Sequence, residues 1–220
     1  MTTSGTEHEF LTFAIDSGVL SFGEFTLKSG RVSPYFLNAG LFNTGYMLSR
    51  LGRFYATVLA ETETEDFMLF GPAYKGIALA ATTAAALYQH HDWNVEFAYN
   101  RKESKDHGEG GAVIGARLSG RVIIIDDVIT AGTAIRESVG IIRAAGAEPA
   151  AVIVALDREE KVSEDGRSAV TQVHEELDLP VHVIARFNTL IEYLRQDPGL
   201  EQHLQAMEAY RGRYGDSPPS

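Results

Sequence analysis

"VIIIDDVITAGTA", Val122–Ala134, decides how this chain is built. Four branched apolar residues, Val122 to Ile125, run straight into two adjacent acids, Asp126 and Asp127. A continuous apolar run of this kind fits a strand covered on both faces. Thr130, Ala131, Gly132 and Thr133 then supply a small, flexible loop, and Ile135, Val139, Ile141 and Ile142 fall at helical spacing behind it. Two carboxylates side by side repel each other and are costly beside a core unless each has partners of its own. The stretch therefore reads as a strand, a ligand loop and a helix, with the acids at the strand's carboxyl end.

The same alternation extends in both directions. "FMLFGPAYKG", "VEFAYN", "AAVIVALD" and "VHVIAR" read as strands. Helical stripes cover residues 44–60, "IALAATTAAALYQH", 133–145 (closed by Gly146) and 169–178. Asn188 is expected to cap a short helix ending at Pro198, and a last helix is expected over about 200–211. The pattern predicts an α/β fold, a parallel sheet flanked by helices on both faces, within one domain spanning residues 1–220. Residues 1–40 are expected to form a small appendage. A helix over 7–17 starts there at a capping box, Thr6–Glu9, and ends at Gly18; a hairpin-like stretch, Gly23–Gly40, follows. Arg101–Ala112, "RKESKDHGEGGA", is polar and glycine-rich and reads as a mobile surface loop. "DREEKVSEDGRS" reads as a charged surface loop, and "GDSPPS" as a frayed tail.

Composition bounds the chemistry. With 45% hydrophobic and 22% charged residues over 220 positions, the chain has ordinary globular usage. It has no cysteine, which excludes disulfides and thiolate metal sites. Lys+Arg number 19 against Asp+Glu 30, a formal charge of −11, so generic nucleic-acid binding is not expected. No apolar stretch suits a membrane span, and "MTTSGTEHEF" lacks a signal-peptide pattern. A cytoplasmic protein without nucleic-acid or membrane partners is expected.

Ligands of open parallel sheets gather at the carboxyl ends of the strands. There the amides of a helix N-terminus attract anions, and carboxylates accept hydrogen bonds from sugar hydroxyls, directly or through Mg²⁺ and its waters. A phosphorylated sugar uses both halves of Val122–Ala134. Neither a Walker A loop nor a dinucleotide fingerprint occurs in the chain.

The thirteen-residue string resembles the phosphoribosyl pyrophosphate (PRPP) motif of type I phosphoribosyltransferases. Three further stretches, "FGEFTLKSGRVSPYFLNAGLFNTG", "LFGPAYKGIALA" and "YNRKESKDHGEGG", resemble the N-terminal signature, pyrophosphate loop and catalytic loop of the orotate phosphoribosyltransferase family. That resemblance implies transfer of a 5-phosphoribosyl group from PRPP to orotate. It also implies a role for each matching residue. Asp126 and Asp127 would hold the ribose hydroxyls, and Val128, Ile129, Thr130, Ala131, Gly132, Thr133 and Ala134 would complete the ribose-phosphate site. Tyr74 and Lys75 would hold pyrophosphate oxygens, while Arg101, Lys102, Lys105 and His107 would close over the diphosphate as the catalytic group. Lys28 would contact the pyrimidine or the diphosphate. Phe36 and Leu37 would pack on orotate, where the bacterial relatives carry two phenylalanines, so Leu37 is a departure. Thr130 and Arg158 would reach orotate; Arg158 also reads as one half of a surface ion pair with Glu159 or Glu160. Mg²⁺ would be held mainly through PRPP, with Asp126 or Asp127 reaching it through water. The family resemblance further implies a homodimer in which loop 101–112 is shared between subunits. A purine or uracil phosphoribosyltransferase would share the PRPP site and differ at residues 22–40. A PRPP-sensing regulator would need a DNA-binding module or a basic surface, and an unrelated phosphate-binding α/β protein is the remaining alternative.

Overall fold

The computed structural model describes residues 4–27, 29–102, 113–162 and 166–216. Helix α1 (Ser4–Asp16) leads into the strands β1 (Leu20–Thr26) and β2 (Val32–Leu37). A short 3-10 turn, Ala39–Leu41, precedes α2 (Gly45–Thr62). Then follow β3 (Met68–Gly71), α3 (Lys75–His91), β4 (Phe97–Asn100), β5 (Val113–Gly115), β6 (Arg121–Val128) and α4 (Thr133–Ala144). The chain continues through β7 (Glu148–Asp157), α5 (Ala169–Leu177), β8 (Val181–Arg186), α6 (Phe187–Gln196) and α7 (Glu201–Tyr214).

Six strands form the main sheet in the order β5-β4-β3-β6-β7-β8, which places β6 between β3 and β7. Five of them are parallel, as expected, but β5 runs antiparallel to β4. The sheet is therefore mixed. A strand that returns directly along the same edge must be antiparallel, whereas a parallel partner needs a crossover over one face. Residues of the parallel strands alternate between two cores. Leu69, Ile123, Ile125, Ile153 and Ile184 pack with α1, α2, α3, α6 and α7. Phe70, Val122, Ile124, Val152 and Val154 pack with α4 and α5. The period-two alternation of a strand explains the unbroken apolar run, because both faces need apolar side chains.

Local chemistry sets the ends of several elements. Thr44 caps α2, its hydroxyl accepting from Met47 N at 3.2 Å, a cap worth about 1 kcal/mol. Gly146, at φ +80°, closes α4. Two expected caps are corrected. Helix α1 is already formed at Ser4, so the Thr6–Glu9 pattern lies inside it; Glu7 instead is buried and accepts from Arg186 and Thr189. Helix α6 begins at Phe187, and the N–H of Asn188 donates to the Glu159 carboxylate at 2.7 Å. The cap comes from another segment, and an anion at a helix N-terminus is favoured by the helix dipole.

The two ends of the chain meet. Strands β1 and β2 pair as an antiparallel ribbon. Tyr35 stacks on Phe187 at 5.0 Å and meets Tyr210 edge-on, while Phe22 stacks on His203 of α7 at 4.8 Å. The appendage expected from residues 1–40 thus includes α7 as its third wall. Gly215 bridges to Glu160 and Asp216 N donates to Glu159 O, so the start of the expected tail is tied down; residues 217–220 lie outside the described residues.

Candidate active site

Strand β6 delivers Asp126 and Asp127 to the carboxyl edge of the sheet. Asp127 is buried, and Lys75 at the start of α3 donates to its Oδ2 at 2.5 Å. Asp126 is half-buried; its Oδ1 accepts the N–H of Asp127 at 2.9 Å, and its carbonyl accepts the Tyr55 hydroxyl at 2.8 Å. Lys75 thus offsets the charge of Asp127, whereas the Asp126 carboxyl accepts only a backbone N–H and still feels its neighbour. Val128 is half-buried and Ile129 buried, and these residues anchor the loop, leaving Thr130, Ala131, Thr133 and Ala134 exposed. Gly132 takes φ +71°, and a Cβ there would stand 2.9 Å from Arg136 Nη1 and 3.0 Å from Val173. Arg136 fixes the loop from behind by donating to Ala131 O at 2.6 Å while pairing with Glu176. Among the described residues no side chain caps α4, and uncapped first-turn amides are of the kind that attract an anion.

The neighbouring strand end, after β3, carries a second glycine-bearing loop. Gly71 and Gly76 pack backbone to backbone: a Cβ on Gly76 would stand 2.7 Å from Gly71 C, and one on Gly71 would overlap Gly76 O. The Ala73–Tyr74 peptide is cis. Ala73 N donates to Asn100 Oδ1 at 2.7 Å, which ties the loop to the end of β4. Tyr74 is exposed, and the Lys102 ammonium stands 5.3 Å from its ring centroid, a cation–π contact. Arg101 is also exposed. Tyr74, Lys75, Lys102, Asp126 and Asp127 are therefore brought together from three strand ends.

Arg158 follows β7, and its surroundings differ from the surface pair that the sequence also allowed. Its guanidinium is mostly buried, bonded to Glu160 Oε1 at 2.9 Å through Nε and 2.6 Å through Nη2. It lies 4.5 Å from the Tyr35 ring centroid. Phe36 and Leu37 occupy opposite faces of β2: Phe36 is exposed and stacks on Phe25 at 5.6 Å, whereas Leu37 is buried in the core. Lys28, Lys105 and His107 lie outside the described residues. Tyr55 and Asn100 were missed by sequence reasoning. Tyr55 sits in an apolar helical stripe with nothing to mark its hydroxyl, while Asn100, a polar residue ending a strand beside the basic segment, was a readable signal.

Burial, and then the adjacent Asp127 carboxylate, push the Asp126 carboxyl up from 3.8 to about 7. Burial does the same to Glu159, again to about 7. For both groups the folded chain holds the proton more tightly than the unfolded chain. Stability therefore rises as pH falls from 7 towards the unfolded carboxylate range and is lost as pH climbs back through that window. Binding has the opposite sign. If Asp126 receives a sugar diol, as the resemblance implies, it must do so ionised, so affinity for ribose 5-phosphate should rise from pH 6 to pH 8. Calorimetry on the wild type and Asp126→Asn checks this: the ligand's own phosphate titrates near pH ~6 in both proteins, so the excess pH dependence of the wild type is the readout. Parallel profiles would remove Asp126 from the diol site.

An acidic pair beside two glycine-bearing loops on adjacent strand ends fits the phosphoribosyltransferase class. A phosphoribosyl transferase domain model matches residues 43–184. The orotate phosphoribosyltransferase of Thioalkalivibrio sulfidiphilus is 60% identical over 95% of this chain and 98% of its own length. That of Pseudomonas aeruginosa is 56% identical with the same coverage. The crystal structure of the Francisella tularensis orotate phosphoribosyltransferase superposes with a TM-score of 0.85 at 39% identity, covering 94% of this chain and 100% of that one. The chain belongs to the orotate phosphoribosyltransferase family.

Proposed function

We propose that this enzyme transfers the 5-phosphoribosyl group of PRPP to N1 of orotate, yielding orotidine 5′-monophosphate and pyrophosphate, in the formation of pyrimidine nucleotides. The observation that carries this reading is the convergence of the Asp126–Asp127 pair, the loop 129–134 and Lys75 on one sheet edge, in a chain 60% identical to a named family member. Asp126 and Asp127 accept from the ribose 2- and 3-hydroxyls. The amides at the start of α4, with Thr130 and Thr133, take the 5-phosphate. Tyr74 and Lys75 hold the diphosphate, and Arg101, Lys102, Lys105 and His107 cover it. On the base side, Arg158 and Thr130 hold orotate from one side, and Lys28, Phe36 and the backbone at Leu37 enclose it from the hairpin.

As the C1–O bond breaks, positive charge grows on the ribose and negative charge on the leaving diphosphate. Only contacts that strengthen during that change lower the barrier. The carboxylates lie on the sugar side and the cations on the diphosphate side, so both charges develop towards complementary partners. No group of three or more His, Asp or Glu suited to a metal occurs among the described residues. The hard oxygens of Asp126 and Asp127 fit an Mg²⁺ that keeps its waters and arrives on substrate phosphates. When bound, Mg²⁺ supplies charge neutralisation on the diphosphate. The active unit is a homodimer in which segment 101–112 serves the neighbouring site, a reading supported by the family resemblance. Among the described residues no helix is long and apolar enough to cross a membrane, and a cytoplasmic location fits the proposed pathway.

Offered Mg²⁺, PRPP and each of orotate, uracil, adenine and hypoxanthine in turn, the purified enzyme should form nucleotide and pyrophosphate with orotate alone. Turnover of uracil or a purine in place of orotate would overturn the assignment.

A further inference from the structure

Arg158 is held by more groups than a substrate-binding arginine needs for its own burial. Nε and Nη2 converge on Glu160 Oε1, and Nη2 also donates to Ser33 Oγ at 3.3 Å. The guanidinium plane lies over Tyr35, whose hydroxyl donates to the same Glu160 oxygen at 3.4 Å. Among the described residues Glu160 and Ser33 engage only Nε and Nη2, and the Tyr210 hydroxyl is a further neighbour of the guanidinium. A planar fork fixed along one edge presents its other edge in a defined direction, as carboxylate recognition demands.

Glu160 is itself held by the far end of the chain. It forms a bridge with Gly215, while Lys161 N donates to Tyr214 O and Asp216 N to Glu159 O, both at 2.9 Å. Gly215 cannot accept a side chain without collision, since a Cβ would lie 2.6 Å from Arg211 O. Arg31, from the turn before β2, stands 3.9 Å from Glu160 Oε2. The base side of the site is thus built on a strap running from the end of α7 through Glu160 to Arg158.

We infer that Glu160 is a positioning residue: anchored to the C-terminal strap, it occupies one edge of the Arg158 guanidinium and leaves Nη1 for the carboxylate of the base. This inference rests on the reading that Arg158 holds orotate. It assigns Glu160 no contact with substrate and no part in binding PRPP.

Steady-state kinetics of full-length Arg158→Lys, Glu160→Gln and Glu160→Asp, varying orotate and PRPP separately, test it. Loss of one directed charge-assisted contact predicts a KM for orotate raised by about tenfold in Arg158→Lys and Glu160→Gln, with the KM for PRPP unchanged. Glu160→Asp keeps the charge but withdraws it by one methylene, and should give a smaller rise in the same direction. It carries the test if Glu160→Gln does not fold. An effect of Arg158→Lys without one from either Glu160 variant overturns the positioning role and leaves the base-site reading intact. No effect of Arg158→Lys removes Arg158 from the base site and the inference with it. Equal rises in both KM values from the Glu160 variants would mark general loosening and overturn the role.

Discussion

Lys105→Ala should lower turnover by about 10²- to 10³-fold while leaving affinity for ribose 5-phosphate nearly unchanged. The reason lies in how the other cations near the site are spent. Lys75 is paired with Asp127, Arg158 with Glu160 and Arg136 with Glu176. Over the whole chain, acids outnumber Lys and Arg by 30 to 19. A departing diphosphate therefore needs cations beyond Lys75, whose charge is already shared with Asp127. "RKESKDH", Arg101–His107, carries four groups able to be cationic within seven residues. Lys102, at the start of this segment, lies against Tyr74 of the loop after β3, the loop proposed to hold pyrophosphate. A cation that meets the diphosphate mainly as charge develops changes kcat and spares ground-state contacts at the other end of the substrate. Rapid-quench turnover and ribose 5-phosphate calorimetry on the variant separate the two quantities. Equal losses in both would sink the assignment of catalysis to this segment. If the segment serves the neighbouring subunit, mixing Lys105→Ala with Asp127→Asn should restore part of the activity, since hybrid dimers contain one intact site.

The sequence made the layers and the sugar-phosphate half of the site legible because both depend on short-range pattern. Ile123 and Ile125 face one core and Ile124 the other, and that two-sided demand is written as an unbroken apolar run. Asp126, Asp127 and loop 129–132 follow within the same string, so their shared place at the carboxyl end of β6 is a local property of the sequence. What escaped depends on distant partners. Glu159 caps a helix about thirty residues further on, a partnership that no spacing rule connects to Asn188. Arg158 and Glu160 look like solvated charges in a run of charged residues, yet Tyr35, Ser33 and the end of α7 bury them. The antiparallel β5 has three residues, too few to show a period, and its direction is set by pairing with β4. The same logic explains Phe36 and Leu37: adjacent in sequence, they are separated by the strand's alternation into an exposed ring and a core side chain.

Gly71→Ala should abolish PRPP binding and destabilise the fold by about 1–3 kcal/mol or more. The added methyl would overlap the carbonyl oxygen of Gly76, and a methyl on Gly76 would in turn stand 2.7 Å from Gly71 C. Both obstacles are backbone, so no side-chain rotation relieves them. The end of β3 and the first turn of α3 would have to separate, carrying away Tyr74 and Lys75 and breaking the Lys75–Asp127 pair at 2.5 Å. Asp127 would then remain buried without its cation, a second penalty on top of the steric one. Gly140→Ala is the matched control: Gly140 lies in α4 with nothing within 4 Å of a new Cβ, so the substitution should raise stability by about 1 kcal/mol through helix propensity. Urea unfolding and PRPP calorimetry on the two variants should therefore diverge in sign for stability, with binding lost only in Gly71→Ala. Normal PRPP affinity in Gly71→Ala would mean that the close approach of β3 and α3 does not shape the pyrophosphate loop.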